Sequence, residues 1–335
     1  MEYRSMGRTG VQVSKICLGC MMFGLRTEPE EAYRIIDKAI EGGINFFDTA
    51  NAYSLGRSEE ITGEGLKRNS KRHRIVLATK VFAPMNQDDP NARGIHRRHI
   101  IEQCEASLKR LQTDYIDLYQ IHRPVASVPI DETLRALDDL VRSGKVRYIG
   151  TSTYAAWQLV ESLWVAKEYG LNRFVTEQPP YNLLERRVER ELLPMARTYG
   201  FAIIPWSPLA GGLLTGKYTK DGDQPENTRF TKEWNGWRAQ EAFQQALKVV
   251  DQLKALAESK GCTLSQFSLA WVAQQPGITS PIIGPRTLEQ LEDNLRAADL
   301  TLSEEELKKI DAIVPPGRAV FPMYNADFGP HPYRW

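Results

Sequence analysis

Eight short apolar runs recur along the chain about one β-α unit apart, and each ends at or beside a polar side chain: residues 16–20, 45–49, 75–80, 116–122, 146–152, 174–178, 201–207 and 280–284. Amphipathic stretches of helical period separate them, at 30–41, 58–67, 100–111, 131–143, 155–169, 187–199, 264–274 and 287–297. A parallel strand needs a crossover before the next one can pair with it, and eight strand–helix units close into a barrel that gathers every strand's C-terminal end at one mouth. The expectation is therefore an α/β chain with a (β/α)8 TIM barrel, read as one domain over 1–335. Asp48, Tyr53, Lys80, His122, Ser152, Gln178, Trp206 and Arg286 meet at its mouth.

Residues 3–13, with Gly7 and Gly10 between two extended pieces, read as a hairpin plugging the opposite end. Gly42-Gly43 closes the first helix as a C-cap. Three connections exceed the unit length, at 82–94, 211–237 and 315–335, and the seventh also carries an additional helix at 239–259. Loops at strand C-termini set specificity in barrels, so Met21, Met22, Phe82, Trp234, Trp237, Tyr324 and Phe328 are candidate pocket residues.

Composition narrows the partners. Forty-three Lys and Arg against forty-two Asp and Glu leave a formal charge of +1, so no global field recruits nucleic acid or an anionic membrane. No run approaches the ~18 uninterrupted apolar residues of a membrane span. Met1-Glu2-Tyr3-Arg4 does not begin an export signal, and four cysteines make no disulfide framework in a chain this long. The expected location is cytoplasmic. Cys17 and Cys20 share a C-x-x-C spacing inside the first strand, without the second pair a zinc site needs, and read as core thiols; no metal is expected. The pattern leaves the oligomeric state open.

The chemistry lies on three successive strand ends, which carry a carboxylate (Asp48), a phenol (Tyr53), an ammonium (Lys80) and an imidazole (His122). A phenol is a weak acid, and a neighbouring cation favours its ionised form and eases proton donation. Lys80 is placed to be that cation, Asp48 to hold it, and His122 to orient the oxygen of a carbonyl substrate.

These residues spell a family pattern. Met6-Gly7-Arg8-Thr9-Gly10, Leu18-Gly19, the run Gly43-Ile44-Asn45-Phe46-Phe47-Asp48-Thr49-Ala50-x-x-Tyr53, and Ile283-Gly284-Pro285-Arg286 together resemble the aldo-keto reductase superfamily over nearly the whole chain. Trp206-Ser207-Pro208-Leu209-Ala210-Gly211-Gly212 is similar to its bacterial and potassium-channel β-subunit branches. The resemblance implies a catalytic tetrad at Asp48, Tyr53, Lys80 and His122. It also implies NADPH/NADP+ as cofactor, extended across the barrel mouth without a Rossmann domain; no G-x-G-x-x-G follows a strand.

By the same resemblance, Ser152 and Gln178 hold the nicotinamide carboxamide and Trp206 stacks on the ring. Ser207, Leu209, Gly211 and Lys217 lie near the pyrophosphate. Gly284, Arg286, Gln290, Asp293 and Asn294 lie around the adenosine 2′-phosphate, and Gly19, Cys20, Met21 and Asp48 complete the set. Thr153 stands where many members have Asn, and Gly284-Pro285 replaces a lysine-serine pair, which leaves Arg286 as the chief cation for the phosphate. The implied activity is reversible reduction of an aldehyde or ketone.

An NADP-binding, redox-sensing subunit with slow catalysis is the alternative, and an aldolase using Lys80 as a Schiff base is a third. Gly211 to Lys217 imitates a P-loop, but Tyr218 occupies the magnesium-ligating Ser/Thr position. The basic run from Lys67 to Arg74 reads as the solvated end of the second helix.

Overall fold

Strands covered on both faces must be apolar at consecutive positions, and this pattern sets the architecture. The computed structural model describes residues 1–68, 70–218, 228, 241–322 and 324. Strands β1 (Tyr3–Ser5) and β2 (Gln12–Ser14) pair antiparallel. Eight parallel strands follow: β3 (Cys17–Gly19), β4 (Phe46–Asp48), β5 (Val76–Val81), β6 (Ile116–Ile121), β7 (Val146–Ser152), β8 (Phe174–Gln178), β9 (Ala202–Ile203) and β10 (Ile282–Ile283). They are ordered β10-β3-β4-β5-β6-β7-β8-β9. The ring closes where the Thr279 amide donates to the Ile203 carbonyl at 2.8 Å and the Ile282 amide to the Pro205 carbonyl at 2.9 Å. The outer layer consists of α1 (Pro29–Glu41), α2 (Arg57–Arg68), α3 (Arg97–Arg110), α4 (Ile130–Arg142), α5 (Ala156–Tyr169), α6 (Leu192–Tyr199), α7 (Glu241–Ser259), α8 (Leu264–Gln274), α9 (Leu288–Arg296) and α10 (Glu304–Ile313).

Successive strand residues serve two cores. Leu18, Phe47, Leu77, Tyr119 and Ile203 pack outward against the helices. Cys17, Phe46, Ala78, Leu118, Ala202 and Ile282 point into the barrel, where Met6 and Val13 of the hairpin join them. A fully buried Phe or Leu contributes about 1.5–3 kcal/mol, so an alternation that fills both sides of each strand is the main force fixing register. The hairpin plugs the barrel as expected. Gly7, at φ +60°, comes so close to the barrel floor that a Cβ there would lie 2.7 Å from the Gly200 carbonyl oxygen.

The differences from the sequence reading have local causes. β9 and β10 are shorter than 201–207 and 280–284 because Pro205, Pro208, Pro281 and Pro285 bring no amide hydrogen to a ladder. The helix expected over 187–199 is a 3-10 turn (Arg187–Glu189) followed by α6, since Pro194 cannot sit deep in a helix and fits only its first turn. α10, not anticipated, starts at a reciprocal cap between Ser303 and Glu306. Cys17 faces the interior and Cys20 the outer layer, so their C-x-x-C spacing does not bring the two thiols together. Burial pushes both thiols up, Cys20 to about 12. No helix among the described residues is long and apolar enough to cross a membrane. Trp234, Trp237, Phe328 and the first residues of the helix expected at 239–259 lie outside the described residues.

Candidate active site

Because the strands run parallel and in register, their last residues form one rim. Gly19 pairs with Asp48, Lys80 with Gln120, and Ser152 with Gln178. The Lys80 ammonium, fully buried, donates to Asp48 Oδ1 at 2.5 Å, to the Thr49 carbonyl at 2.8 Å and to the Tyr53 hydroxyl oxygen at 3.2 Å. Those three bonds use all its donors. Burial opposes its charge, yet the Asp48 carboxylate and the Tyr53 oxygen outweigh that and hold its pKa above the ordinary lysine value.

Asp48 Oδ2 accepts from the amides of Gln120 and Gln178, both at 3.0 Å. Tyr53 opens a short 3-10 turn (Tyr53–Gly56) in which Ser54 and Leu55 adopt left-handed backbone, and this turn swings the phenol over the rim. The His122 ring meets the Tyr53 ring edge-on, with centroids 5.7 Å apart. Burial among protein groups depresses the imidazole pKa well below its usual value, and the positive charges of Lys80 and Arg123 push the same way. The imidazole is therefore neutral at pH 7.

The next sector of the rim carries Ser152 and Gln178. Ser152 donates to the Gln178 carbonyl at 2.9 Å, while the Gln178 side-chain amide is committed to Asp48 and Gln120. Trp206 follows β9 with its ring half-buried at the mouth. The loop behind it turns sharply, with positive φ at Ser207, Ala210, Gly211 and Gly212. Asn182 braces it by donating to the Ser207 carbonyl at 3.0 Å. The Leu209 amide has no hydrogen-bond partner among the described residues, and left-handed loops of this kind present amides to anions. Lys217 lies over the Tyr218 ring, close to Gly212.

Further round, Arg286 precedes α9, whose N-cap is Thr287; Gln290 accepts from the Arg286 amide at 2.8 Å. Glu31 accepts from the Leu288 amide at 2.7 Å and so closes one of that helix's first amides. Asn294 is buried on α9, and Gly284 has open space around its Cα. The flat indole, the loop amide and the cation at a helix start together fit a dinucleotide phosphate carrier lying along the rim.

Other expected residues take up structural positions. Asp293 accepts from Gln266 on α8 at 2.6 Å, which ties α9 to α8. Gly19 is hemmed in by β10, where a Cβ would lie 2.7 Å from Ile282 Cγ2. The Cys20 side chain faces the outer core, and its amide and carbonyl are bonded to Asp48 and Ser58. Met21 stands half-exposed beside it.

Three participants were missed in the sequence: Gln120, Arg123 and Asn182. Gln120 points inward two residues before His122, a position that strand alternation alone identifies. Arg123 donates to the His122 carbonyl at 2.8 Å and to Thr153 Oγ1 at 2.7 Å, with the Tyr324 ring 4.9 Å from its guanidinium. Asn182 braces the loop described above; Tyr324, expected as a pocket residue, packs edge-on against Trp206 at 6.3 Å. Asn182 carries no periodic or positional signal. The basic run from Lys67 to Arg74 is held locally, with Arg72 paired to Asp117 at 2.8 Å and stacked on Tyr115.

The family model described as aldo/keto reductase family matches residues 15–315. An uncharacterized oxidoreductase, YrpG, from Bacillus subtilis is 44% identical, covering 94% of this chain and 96% of its own length. A probable voltage-gated potassium channel subunit beta from Oryza sativa subsp. japonica is 38% identical over 94% of this chain and 97% of its own. Versiconal hemiacetal acetate reductase from Aspergillus parasiticus is 36% identical over 93% and 96%.

Proposed function

Because the chain belongs to the aldo/keto reductase family, we propose that it is an NADPH-dependent reductase of aldehydes or ketones, running reversibly toward alcohol oxidation, with Tyr53 as proton donor. A reduced nicotinamide, held by Trp206, Ser152 and Gln178, would supply the hydride. The observation that carries the reading is the saturation of Lys80. Its third N–H points at the Tyr53 oxygen, so that oxygen is an acceptor there and its own hydrogen remains available for donation.

A carbonyl oxygen held between the Tyr53 hydroxyl and the neutral His122 imidazole takes the Tyr53 proton as its carbon takes the hydride. The phenolate left behind is stabilised by Lys80 until a solvent proton replaces the one donated. Asp48 balances the lysine's charge and, through Gln120 and Gln178, fixes where both lie.

For the cofactor, Ser152 and Gln178 would hold the carboxamide, the latter with its oxygen, since its amide is engaged by Asp48 and Gln120. Ser207, Leu209, Gly211 and Lys217 line the pyrophosphate, and Gly284, Arg286, Gln290 and Asn294 the 2′-phosphate end. Gly19, Cys20 and Met21 contribute through packing of the rim rather than through free polar groups. Asp293 acts from behind by fixing α9. The chain works as one domain in the cytoplasm on a small-molecule carbonyl substrate.

Two other readings fare worse. An aldolase needs Lys80 as a free amine, whereas its ammonium is held above the usual pKa with all three N–H groups engaged. A redox-sensing subunit draws support from the channel-subunit relatives. The set of phenol, ammonium, carboxylate and imidazole is nonetheless complete, and this favours turnover.

Tyr53→Phe separates these cases. We expect kcat with a reactive aldehyde to fall by about 10²–10⁴-fold, with NADPH affinity, read by fluorescence quenching, nearly unchanged. A variant keeping most of its kcat refutes the proton-donor assignment, and wild-type protein that binds NADPH tightly yet barely turns over supports the sensor.

A further inference from the structure

Arg123 is a half-buried cation that has no counter-ion among the described residues. Its Nη1 is anchored to the His122 carbonyl, to Thr153 Oγ1 and, at 3.4 Å, to Ser152 Oγ. Its Nε and Nη2 have no hydrogen-bond partner, and it forms no ion pair, among the described residues. Four other partly or fully buried arginines pair with carboxylates: Arg72 with Asp117, Arg110 with Glu59, Arg186 with Glu189 and Arg187 with Glu185; Arg173, like Arg123, is held by uncharged acceptors, the carbonyls of Phe174 and Tyr199. The guanidinium is flanked by aromatic rings, with Tyr324 at 4.9 Å and Trp206 at 5.9 Å. It belongs to the residue next to His122, and its charge is felt by the His122 imidazole.

Among the described residues, the surrounding charges leave it uncompensated. Asp48 is spent on Lys80, and His122 is neutral. Glu177, the carboxyl behind the 151–154 turn, is pushed up to about 8 by burial and so carries little charge near neutrality. A half-buried guanidinium with one edge unpartnered among the described residues is placed to receive an anion, and a carboxylate matches that edge bidentately.

Resting on the reductase reading above, we propose that Arg123 is the receptor for a carboxylate on the substrate, so that the preferred substrates are carbonyl acids: formyl- or keto-substituted carboxylates rather than neutral aldehydes. The carboxylate sits on the Nε/Nη2 edge, the aromatic rings cover its carbon framework, and the carbonyl reaches Tyr53.

The test compares 3-formylbenzoate, 4-formylbenzoate and succinic semialdehyde with their methyl esters, using NADPH, on wild type, Arg123→Gln and Arg123→Lys. A charge-assisted pair is worth about 10- to 100-fold. We therefore expect at least one acid to exceed its ester by that factor in kcat/KM in wild type, the preference to vanish in Arg123→Gln, and part of it to return in Arg123→Lys. Because acid and ester share the cofactor, their ratio cancels any disturbance of the 152–153 turn. Calorimetry on NADP+-loaded protein gives a second readout, with benzoate binding to wild type and weakening at least tenfold in Arg123→Gln, while benzamide is unaffected. Esters reduced as well as every acid, or an acid preference that survives Arg123→Gln, overturn the proposal while leaving the reductase intact. Failure to reduce any of the six compounds counts against the reductase reading itself and takes this proposal with it.

Discussion

Glu177→Gln gives the sharpest test of the electrostatics behind the rim. Glu177 is fully buried at the end of β8, facing away from the barrel interior. One oxygen accepts from the Tyr154 amide at 3.2 Å, and the other lies 2.6 Å from the Thr151 hydroxyl. That hydroxyl also reaches the Thr176 carbonyl at 3.1 Å. A single hydroxyl hydrogen cannot serve both acceptors. Protonated Glu177 resolves the conflict by donating to Thr151, which then donates to Thr176. Burial pushes the carboxyl from 4.5 up to about 8, although Thr151 and the backbone amides of Tyr154 and Thr153 pull it back.

The raised pKa means that folded protein binds the proton more tightly than unfolded protein. The associated stability is complete below about pH 4.5 and is lost as pH climbs to about 8. At about 1.4 kcal/mol per pH unit the loss is capped near ~5 kcal/mol, and water penetration makes ~2–5 kcal/mol the working range. Glutamine reproduces the protonated hydrogen-bond pattern at every pH. We expect Glu177→Gln to match wild type near pH 5 and to exceed it at pH 9, by roughly 2–3 °C in melting temperature per kcal/mol. Melting curves from pH 5 to 9 check this. Wild type and variant falling in parallel would show that Glu177 is ionised throughout and that the account of its burial is wrong.

Lys80→Met should destabilise the protein by about 3–5 kcal/mol, because it leaves the buried Asp48 carboxylate with only the two glutamine amides. Urea midpoints measure this, and a loss under ~1 kcal/mol would refute the coupling. With His122 held neutral by burial, kcat/KM should show no imidazole titration between about pH 6 and 8. A step near pH 6.5 that disappears in His122→Asn would overturn that assignment.

Much of the rim was legible because a strand's last inward residue is marked twice, by the two-residue alternation and by the turn that follows. Asp48, Lys80, His122, Ser152 and Gln178 all stand at such places, and the structure brings them together. Gln120 obeys the same alternation and was overlooked because an amide on a strand announces no chemistry until it is found against Asp48. Arg123 follows a strand end and carries no chemical signal of its own there. Its meaning depends on Thr153 and Tyr324, thirty and two hundred residues downstream, and no local pattern carries such a relation. α10 was readable in principle from Ser303 and Glu306, whereas the break before α6 turns on where Pro194 falls in a helix that could begin at several positions.

After α10 the chain returns to the barrel and pairs with the segment following β8. The Val320 amide donates to the Leu184 carbonyl and the Arg186 amide to the Arg318 carbonyl, both at 2.8 Å, while Arg187 grips the Tyr324 carbonyl at 2.9 Å. The wall of the mouth that Tyr324 forms is thus fastened by backbone and by a distant arginine, not built on any barrel strand. Substitutions in this strap can reshape what enters the mouth without touching the stave-to-stave bonding of the barrel, which separates the evolution of selectivity from that of the chemical machinery.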